Sequence, residues 1–315
     1  MPHRTIISFG EILWDLLPEG PSLGGAPCNF AYRMHTLGHH SVIVSKLGQD
    51  TLGKQAQASL TKYGMSLEGI QQDPDFPTGT VEIQFDVCNN PDYHIVPHVA
   101  YDHIKPSDQL RDLARKADAI CFGTLAQRTE CSRKTLQWLL DQMGQDALVV
   151  CDINLRKSCY TRATVETSLQ QAHVLKLSNE ETGTLAHWFG MPEDDLTKMG
   201  TAMVKTWNLS HCLITLGSEG ALAFSAEESP VYQPGFCINM KEPIGAGDAC
   251  TAGFVDGILN NASLQASCRL GCAMGALVAT QSGAMEPVDM RALEHFLESA
   301  PQTHGNSRYG FLSSA

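Results

Sequence analysis

The stretch Glu242-Pro-Ile-Gly245-Ala-Gly247-Asp248-Ala-Cys-Thr-Ala-Gly253-Phe254 runs three small residues directly into an acid, then into an apolar segment, 249–259, with helical spacing. Small residues at a helix start leave backbone N–H groups exposed and aimed at one point, and the helix dipole adds positive potential there. Gly245, Ala246 and Gly247 therefore read as an anion hole. A carboxylate beside such a hole is a costly neighbour for phosphate unless it acts on it. The natural action is to accept the proton of a nucleophile attacking that phosphate. The competing account is a glycine-rich helix start with Asp248 as dipole partner, because short glycine motifs recur by chance. The rest of the chain decides between them.

Outward from this stretch, short apolar runs alternate with longer amphipathic ones, the βαβα pattern of a parallel sheet covered by helices. Buried strands are predicted at 6–9, 41–45, 119–122, 148–152, 174–177 and 212–216. Helices are predicted at 27–37, 51–63, 107–116, 132–143, 163–172, 194–207, 249–259 and 264–282. Two stretches break the pattern. Residues 11–21 are short and turn-rich. Residues 78–98 alternate (Val81, Ile83, Phe85, Val87, then Tyr93 and Ile95) around Asn89-Asn90-Pro91, which reads as an antiparallel hairpin. Such a hairpin does not fit inside a doubly wound sheet; it stands off as a flap, and a flap over strand ends excludes water from a reaction. With no repeat, low-complexity tract or linker, the expectation is one domain over 1–315, with lid segments 11–22 and 78–103 inserted.

The formal charge of −12 over 315 residues argues against a broad nucleic-acid surface, which needs a basic face. No apolar run approaches the roughly 20 residues that span a bilayer, and the N-terminus lacks the h-region of a signal peptide. A cytoplasmic protein off the membrane is expected. The eleven cysteines fall singly, mostly in apolar runs, with no C-x-x-C pair, and read as buried reduced thiols.

Several strand ends carry polar residues. Gly24-Gly25-Ala-Pro27-Cys-Asn29 opens a helix, its glycines allow close backbone approach, and Asn29 offers both donor and acceptor. Gly10-Glu11 and Asp15 follow the first strand at its carboxyl end, where open α/β sheets bind ligands. Acid and amide beside a Gly-Gly loop suit a polyhydroxylated ligand; plain turn chemistry is the bland alternative. Asp152-Ile-Asn154-Leu-Arg156 makes Arg156 a candidate phosphate clamp, and Gly123-Thr-Leu-Ala-Gln-Arg128 brings a second cation to the same edge. Lys176-Leu-Ser178-Asn179-Glu180-Glu181 ends the next strand. Thr215-Leu-Gly217-Ser-Glu-Gly220 is a turn whose amides can meet nucleotide phosphates. Gly48-Gln-Asp-Thr-Leu-Gly53-Lys54-Gln55 nearly spells a P-loop but ends in Gln, so it lacks the Mg²⁺-binding hydroxyl and reads as a helix cap. His94, His98 and His103 lack the spacing and supporting carboxylate of a metal site.

Taken in order, these motifs resemble the PfkB (ribokinase-like) carbohydrate kinases over nearly the whole chain. The N-terminal motif appears as Gly24-Gly25-x-x-x-Asn29, the C-terminal one as Gly245-Ala246-Gly247-Asp248 followed by Ala252-Gly253-Phe254. Gly123 to Arg128, Asp152-x-Asn154-Leu-Arg156 and Lys176-Leu-Ser178 look most like fructokinases. The Asp-x-Asn-x-Arg element also resembles 2-keto-3-deoxygluconate kinases. The resemblance implies a three-layer α/β/α core with a mostly parallel sheet and a small β lid, often paired between subunits in a homodimer. It implies an ATP-dependent kinase acting on a small sugar, fructose first. Other readings are a 2-keto-3-deoxygluconate, nucleoside or ribose kinase, or a silent sugar or nucleotide sensor.

The same resemblance implies Asp248 as the base and Gly245 to Gly247 as the hole for the transferred phosphoryl group. Asp15, Gly24, Gly25 and Asn29 would hold sugar hydroxyls, with Arg128 and Arg156 lining the sugar or phosphate side. Ser178, Thr215, Gly217, Gly220, Ala276 and Gly283 would face the nucleotide, and Glu181 would order water around Mg²⁺. A monovalent cation, K⁺, is implied at the segment before the anion hole, here Glu242 and Ile244. Glu242-Pro243 stands where the family usually has Asp-Thr. Thr78 to His98 contains no Lys or Arg, which favours a neutral sugar over a carboxylate one.

Overall fold

All six apolar runs predicted as strands form, because each is β-branched or otherwise apolar and bounded by polar turns. The computed structural model describes residues 3–17, 20–85, 91–299 and 301–312. In chain order its strands are β1 (Thr5–Phe9), β2 (Leu13–Leu17), β3 (Gly20–Gly24), β4 (His40–Gly48), β5 (Ile70–Asp73), β6 (Gly79–Phe85), β7 (Pro91–Ile95), β8 (Ala119–Phe122), β9 (Leu148–Asp152), β10 (Val174–Ser178), β11 (His211–Thr215), β12 (Gly220–Ser225), β13 (Val231–Phe236) and β14 (Thr303–His304). The helices are α1 (Ala26–Thr36), α2 (Thr51–Lys62), α3 (Asp108–Ala114), α4 (Glu130–Leu140), α5 (Arg162–Gln171), α6 (Asn179–Phe189), α7 (Leu196–Thr206), α8 (Ala246–Leu259), α9 (Leu264–Ala279) and α10 (Met290–Glu298).

Ten strands make one sheet in the order β14-β13-β12-β11-β10-β9-β8-β1-β4-β5. From β5 to β11 every pairing is parallel; β12, β13 and β14 add antiparallel strands at one edge. Side-chain alternation divides the core in two. Ile7, Phe9, Ile120, Phe122, Cys151, Leu175, Leu177, Cys212 and Ile214 pack under α3 to α7. Ile6, Ala119, Cys121, Val150, Val174 and Leu213 pack on the other face against Phe30 and Met34 of α1, Phe254 and Val255 of α8, and Cys268 of α9. This is the expected α/β/α sandwich, and it brings the carboxyl ends of β1, β8, β9, β10 and β11 to one edge.

A second sheet, in the order β3-β2-β6-β7, stands apart from the first. The β6–β7 pair is antiparallel, with Val81 opposite Ile95; Val87, Asn89 and Asn90 of the predicted hairpin lie outside the described residues. Within 11–21, expected to be short and turn-rich, Leu13–Leu17 instead form β2, and Gly20 and Pro21 open β3, with β2 parallel to β6. Pro21 and Gly20 masked that pattern, but β3 is an edge strand, where both are tolerated. The segment 78–103 leaves this sheet after Ile95: Val99, Ala100 and Tyr101 are buried in the main core.

Other departures are local. Helices α6 and α10 and strands β5, β12, β13 and β14 were not expected, and the helix predicted to 282 stops at Ala279. Asp50 caps α2, accepting from the Gly53 amide at 2.7 Å and from the Thr78 amide at 2.7 Å, which accounts for the P-loop look-alike. The ten described cysteines are free thiols. Among the described residues no helix is long and apolar enough to cross a membrane.

Candidate active site

Gly245, at φ 77°, ends the incoming loop in the left-handed region and starts α8, a conformation that favours glycine. The Ala246 amide turns back to the Pro243 carbonyl at 3.1 Å. Of the predicted hole of Gly245, Ala246 and Gly247, only Ala246 is turned inward: among the described residues the Gly245, Gly247 and Asp248 N–H groups donate to no backbone carbonyl. Asp248 stands in the first turn of α8 and accepts from Asn29 Nδ2 at 2.8 Å. Since a carboxylate only accepts, that contact fixes the amide of Asn29 and leaves its Oδ1 buried with no partner. An orphaned acceptor beside a carboxylate is a seat for a hydroxyl.

The floor of the site is ionic. Asp152 and Lys176 are register partners on β9 and β10, with Nζ 3.1 Å from Oδ1, and Thr251 Oγ1 of α8 donates to Asp152 Oδ2 at 2.9 Å. A Cβ at Gly247 would lie 3.5 Å from Lys176 Nζ, so the ammonium sits directly below the open amides. Burial alone would lower the Lys176 ammonium; the charges of Asp152, Glu181 and Asp248 outweigh it and raise it. Lys176 has no role in the motifs legible in the sequence. The available signal was a lysine inside the buried strand Val-Leu-Lys-Leu-Ser, which requires a partner.

Burial, aided by the charge of Asp152, pushes the Asp248 carboxyl up to about 6, against the pull of Lys176, Asn29 and Arg156. Glu11, buried at the end of β1, is pushed up to about 7 by burial, with Arg156 opposing and Asp248 adding. Asp15 is raised by burial, with Arg156 opposing and Glu242 adding. Asp15 on β2 lies over Gly24, where a Cβ would come within 2.9 Å of Oδ2, and a Cβ at Gly25 would meet the Glu11 carbonyl at 2.4 Å. The structure thus brings Asp15, Gly24, Gly25, Asn29 and Asp248 together. Arg156 is exposed on the loop after Asn154, which sits at φ 38°, and acts on Glu11, Asp15 and Asp248 through its charge.

Arg128 does not join them. Its Nε and Nη2 each lie 2.8 Å from an oxygen of Asp102, and Nη2 also donates to the Val96 carbonyl at 2.8 Å. Its remaining nitrogen faces Cys159, and its plane lies over Tyr101. A guanidinium so saturated is a buried clamp on the chain, not an open ligand for phosphate or sugar.

On the other side of α8 lies a cavity of about 740 Å³ lined by Thr215, Gly217, Gly220, Ala276, Ala246 and Gly247. Gly235, Phe236, Cys237, Ile238 and Met240 also line it; they lie in and after β13, which sequence reasoning did not foresee. Gly275 and Ala276 let α9 approach closely: a Cβ at Gly275 would meet the Ala246 carbonyl at 2.9 Å. Ser178 and Gly283 are not on its wall. Ser178 precedes α6, its amide donating to Glu181 Oε2 at 2.7 Å, and so belongs to a helix cap.

Among the described residues no group of three His, Cys, Asp or Glu could hold a metal ion. Glu181 accepts from the Leu155 and Ser178 amides, one on each oxygen, at 2.6 and 2.7 Å, and each oxygen keeps a further lone pair. Glu242 is half-buried and Ile244 is 40% exposed.

The profile of the pfkB family carbohydrate kinases matches residues 21–291. A putative sugar kinase of Pyrococcus horikoshii is 28% identical over 271 residues, covering 81% of this chain and 82% of that protein. A probable fructokinase-3 of Arabidopsis thaliana is 27% identical over 334 residues, covering 96% and 94%. A crystal structure of an uncharacterized sugar kinase from Pyrococcus horikoshii in complex with ATP has a TM-score of 0.73 at 26% identity, covering 89% of this chain and 94% of that one.

Proposed function

The chain belongs to the pfkB family of carbohydrate kinases, and on that premise we propose that it transfers the γ-phosphoryl group of ATP to a hydroxyl of a neutral sugar, fructose first. The observation that carries this reading is Asp248. It is half-buried, poised near 6, and anchored by Asn29 at the open end of α8 beside an unpaired acceptor.

The sugar hydroxyl lies against Asn29 Oδ1 and Asp248, its neighbours against Asp15. As its oxygen bonds to the γ-phosphorus, its proton passes to Asp248, the bond to the bridging oxygen breaks, and ADP leaves with that electron pair. The amides of Gly247 and Asp248, the α8 dipole and the Lys176 ammonium meet the charge spread over the phosphoryl oxygens. When bound with the nucleotide, Mg²⁺ would neutralise phosphate charge, and Glu181 would hold one of its waters. ATP fills the cavity between α8, α9 and the turn at Gly217; that a structural relative is an ATP complex supports ATP as the donor. The sheet β3-β2-β6-β7 acts as the lid that keeps the reaction dry, and two such lids pair in a homodimer.

The choice of a neutral sugar rests on charge. Asp15, Glu242, Glu11 and Asp248 crowd the sugar side, with Arg156 alone among the named site cations standing exposed there. A carboxylate or phosphate on the acceptor would face that field. ADP release should therefore be fastest with fructose, and kcat/KM at least about tenfold lower with 2-keto-3-deoxygluconate and fructose 6-phosphate, since an uncompensated like charge costs on the order of 1.4 kcal/mol or more. Preference for an acidic acceptor would overturn the substrate choice; no turnover with any of them would overturn the kinase mechanism drawn here.

A further inference from the structure

Arg33 follows Asn29 by one helical turn on α1, so both side chains leave the same face. Asn29 reaches Asp248; Arg33 reaches beneath the helix that carries it. Its relative exposure is 0%. Nη1 donates to the Glu286 carbonyl at 2.8 Å and Nη2 to the Ala284 carbonyl at 2.5 Å. Among the described residues the guanidinium has no carboxylate within ion-pair distance, and its Nε has no partner. Burial pulls it down to about 10, opposed by Tyr32, Asp248 and Glu286, so it is charged in neutral solution.

Ala284 is the residue on which the α8 turn rests: a Cβ at Gly245 would come within 2.5 Å of the Ala284 Cβ. The chain of contact runs from Arg33 through the 284–286 carbonyls to Gly245, and so to the open amides of Gly247 and Asp248. A buried charge with no counter-ion is costly, and a neutral amide would serve two carbonyls more cheaply. The charge itself therefore has work to do. The monovalent cation that the resemblance implies for 242–244 does not fit well here. Near Glu242 and Ile244 the Pro243 carbonyl already accepts from the Ala246 amide, and the Glu286 and Ala284 carbonyls accept from Arg33, so a second cation there would share that loop with a buried guanidinium.

We propose that Arg33 is a positioning residue of this kinase, a resident cation that clamps the 284–286 loop against Gly245 and makes a bound monovalent cation unnecessary. The proposal rests on the reading of Asp248 and α8 as the transfer site.

The test compares wild type, Arg33→Lys and Arg33→Gln in KCl and in tetramethylammonium chloride at equal ionic strength, reading sugar kinetics and thermal unfolding. Wild type should show the same kcat and Tm in both salts. Arg33→Gln should lose about tenfold or more in kcat with sugar KM within about threefold, and KCl, but not the organic salt, should raise its Tm. Arg33→Lys should retain more kcat than Arg33→Gln. The proposal is overturned if wild type loses about tenfold in kcat without K⁺, if folded Arg33→Gln turns over like wild type, or if Arg33→Lys is no better than Arg33→Gln. If Arg33→Gln does not fold, the wild-type salt comparison decides alone. A wild type inactive with every sugar would overturn the proposed function instead, and the K⁺ response of the two Tm values would still test Arg33.

Discussion

At the end of β8, Arg128 is held by both oxygens of Asp102 and by the Val96 carbonyl, while at the end of the adjacent strand, β9, Arg156 stands in solvent. Around Arg128 the charges are paired and their hydrogen bonds made; Asp102 also accepts from the Val99 amide at 3.2 Å. Around Arg156 they are not. Asp248 keeps one contact from Asn29, Glu11 is crowded toward its neutral form, and Asn29 keeps an empty acceptor. Both loops look alike as sequence: a buried strand, a polar turn, an arginine. A saturated cluster fixes the chain, whereas an unsaturated one leaves capacity for a substrate, at a cost in stability.

The hardest blow to this contrast falls on the unsaturated side. Asp248→Ala should lower kcat by about 10²–10⁴-fold, the usual contribution of a general base, with nucleotide affinity largely kept by the cavity behind α8. Near-normal single-turnover rates in that variant would remove the base assignment.

The saturated side should fail differently. Arg128→Met strands Asp102 in the core and should destabilise the protein by about 3–5 kcal/mol, as loss of one partner of a buried pair does, measurable as a drop in the urea midpoint. The folded fraction should keep the sugar KM of wild type. A stable variant with a raised KM would erase the distinction between the two arginines.

Smaller and in solution, Arg156→Ala should lower kcat/KM by about tenfold, the scale of one charged contact, and leave Tm where it was. It should also move the pH profile. Because burial raises Asp248, its basic form is lost as pH falls through about 6, so kcat/KM should fall on that acid limb. Arg156 opposes the rise, so its removal should shift the limb to higher pH. A limb that stays in place would mean the exposed guanidinium does not reach the site.

Much of the fold was legible because it is written in period. Strand runs alternate with helices, and odd and even positions of β1, β8 and β10 face different helix layers. The Gly245-Ala-Gly247-Asp248 turn was legible for a related reason: backbone freedom at Gly245 and a helix start are local properties. The antiparallel edge at β12 and β13 was not, since its strands Gly-Ala-Leu-Ala-Phe-Ser and Val-Tyr-Gln-Pro-Gly-Phe take their state from β11 rather than from their own pattern.

By itself the sequence determined the α/β framework, the glycine turn that opens α8 and the acid beside it, because periodicity, glycine and helix dipoles act over a few residues. Tertiary structure alone decided what the charged groups do. Asn29 meets Asp248 across 219 residues, Arg33 meets Ala284 across 251, Lys176 meets Asp152 across 24, and Arg128 meets Asp102 across 26. An ionisable side chain has no role of its own; burial and the partner it meets set its charge and its freedom, and both are properties of the folded chain.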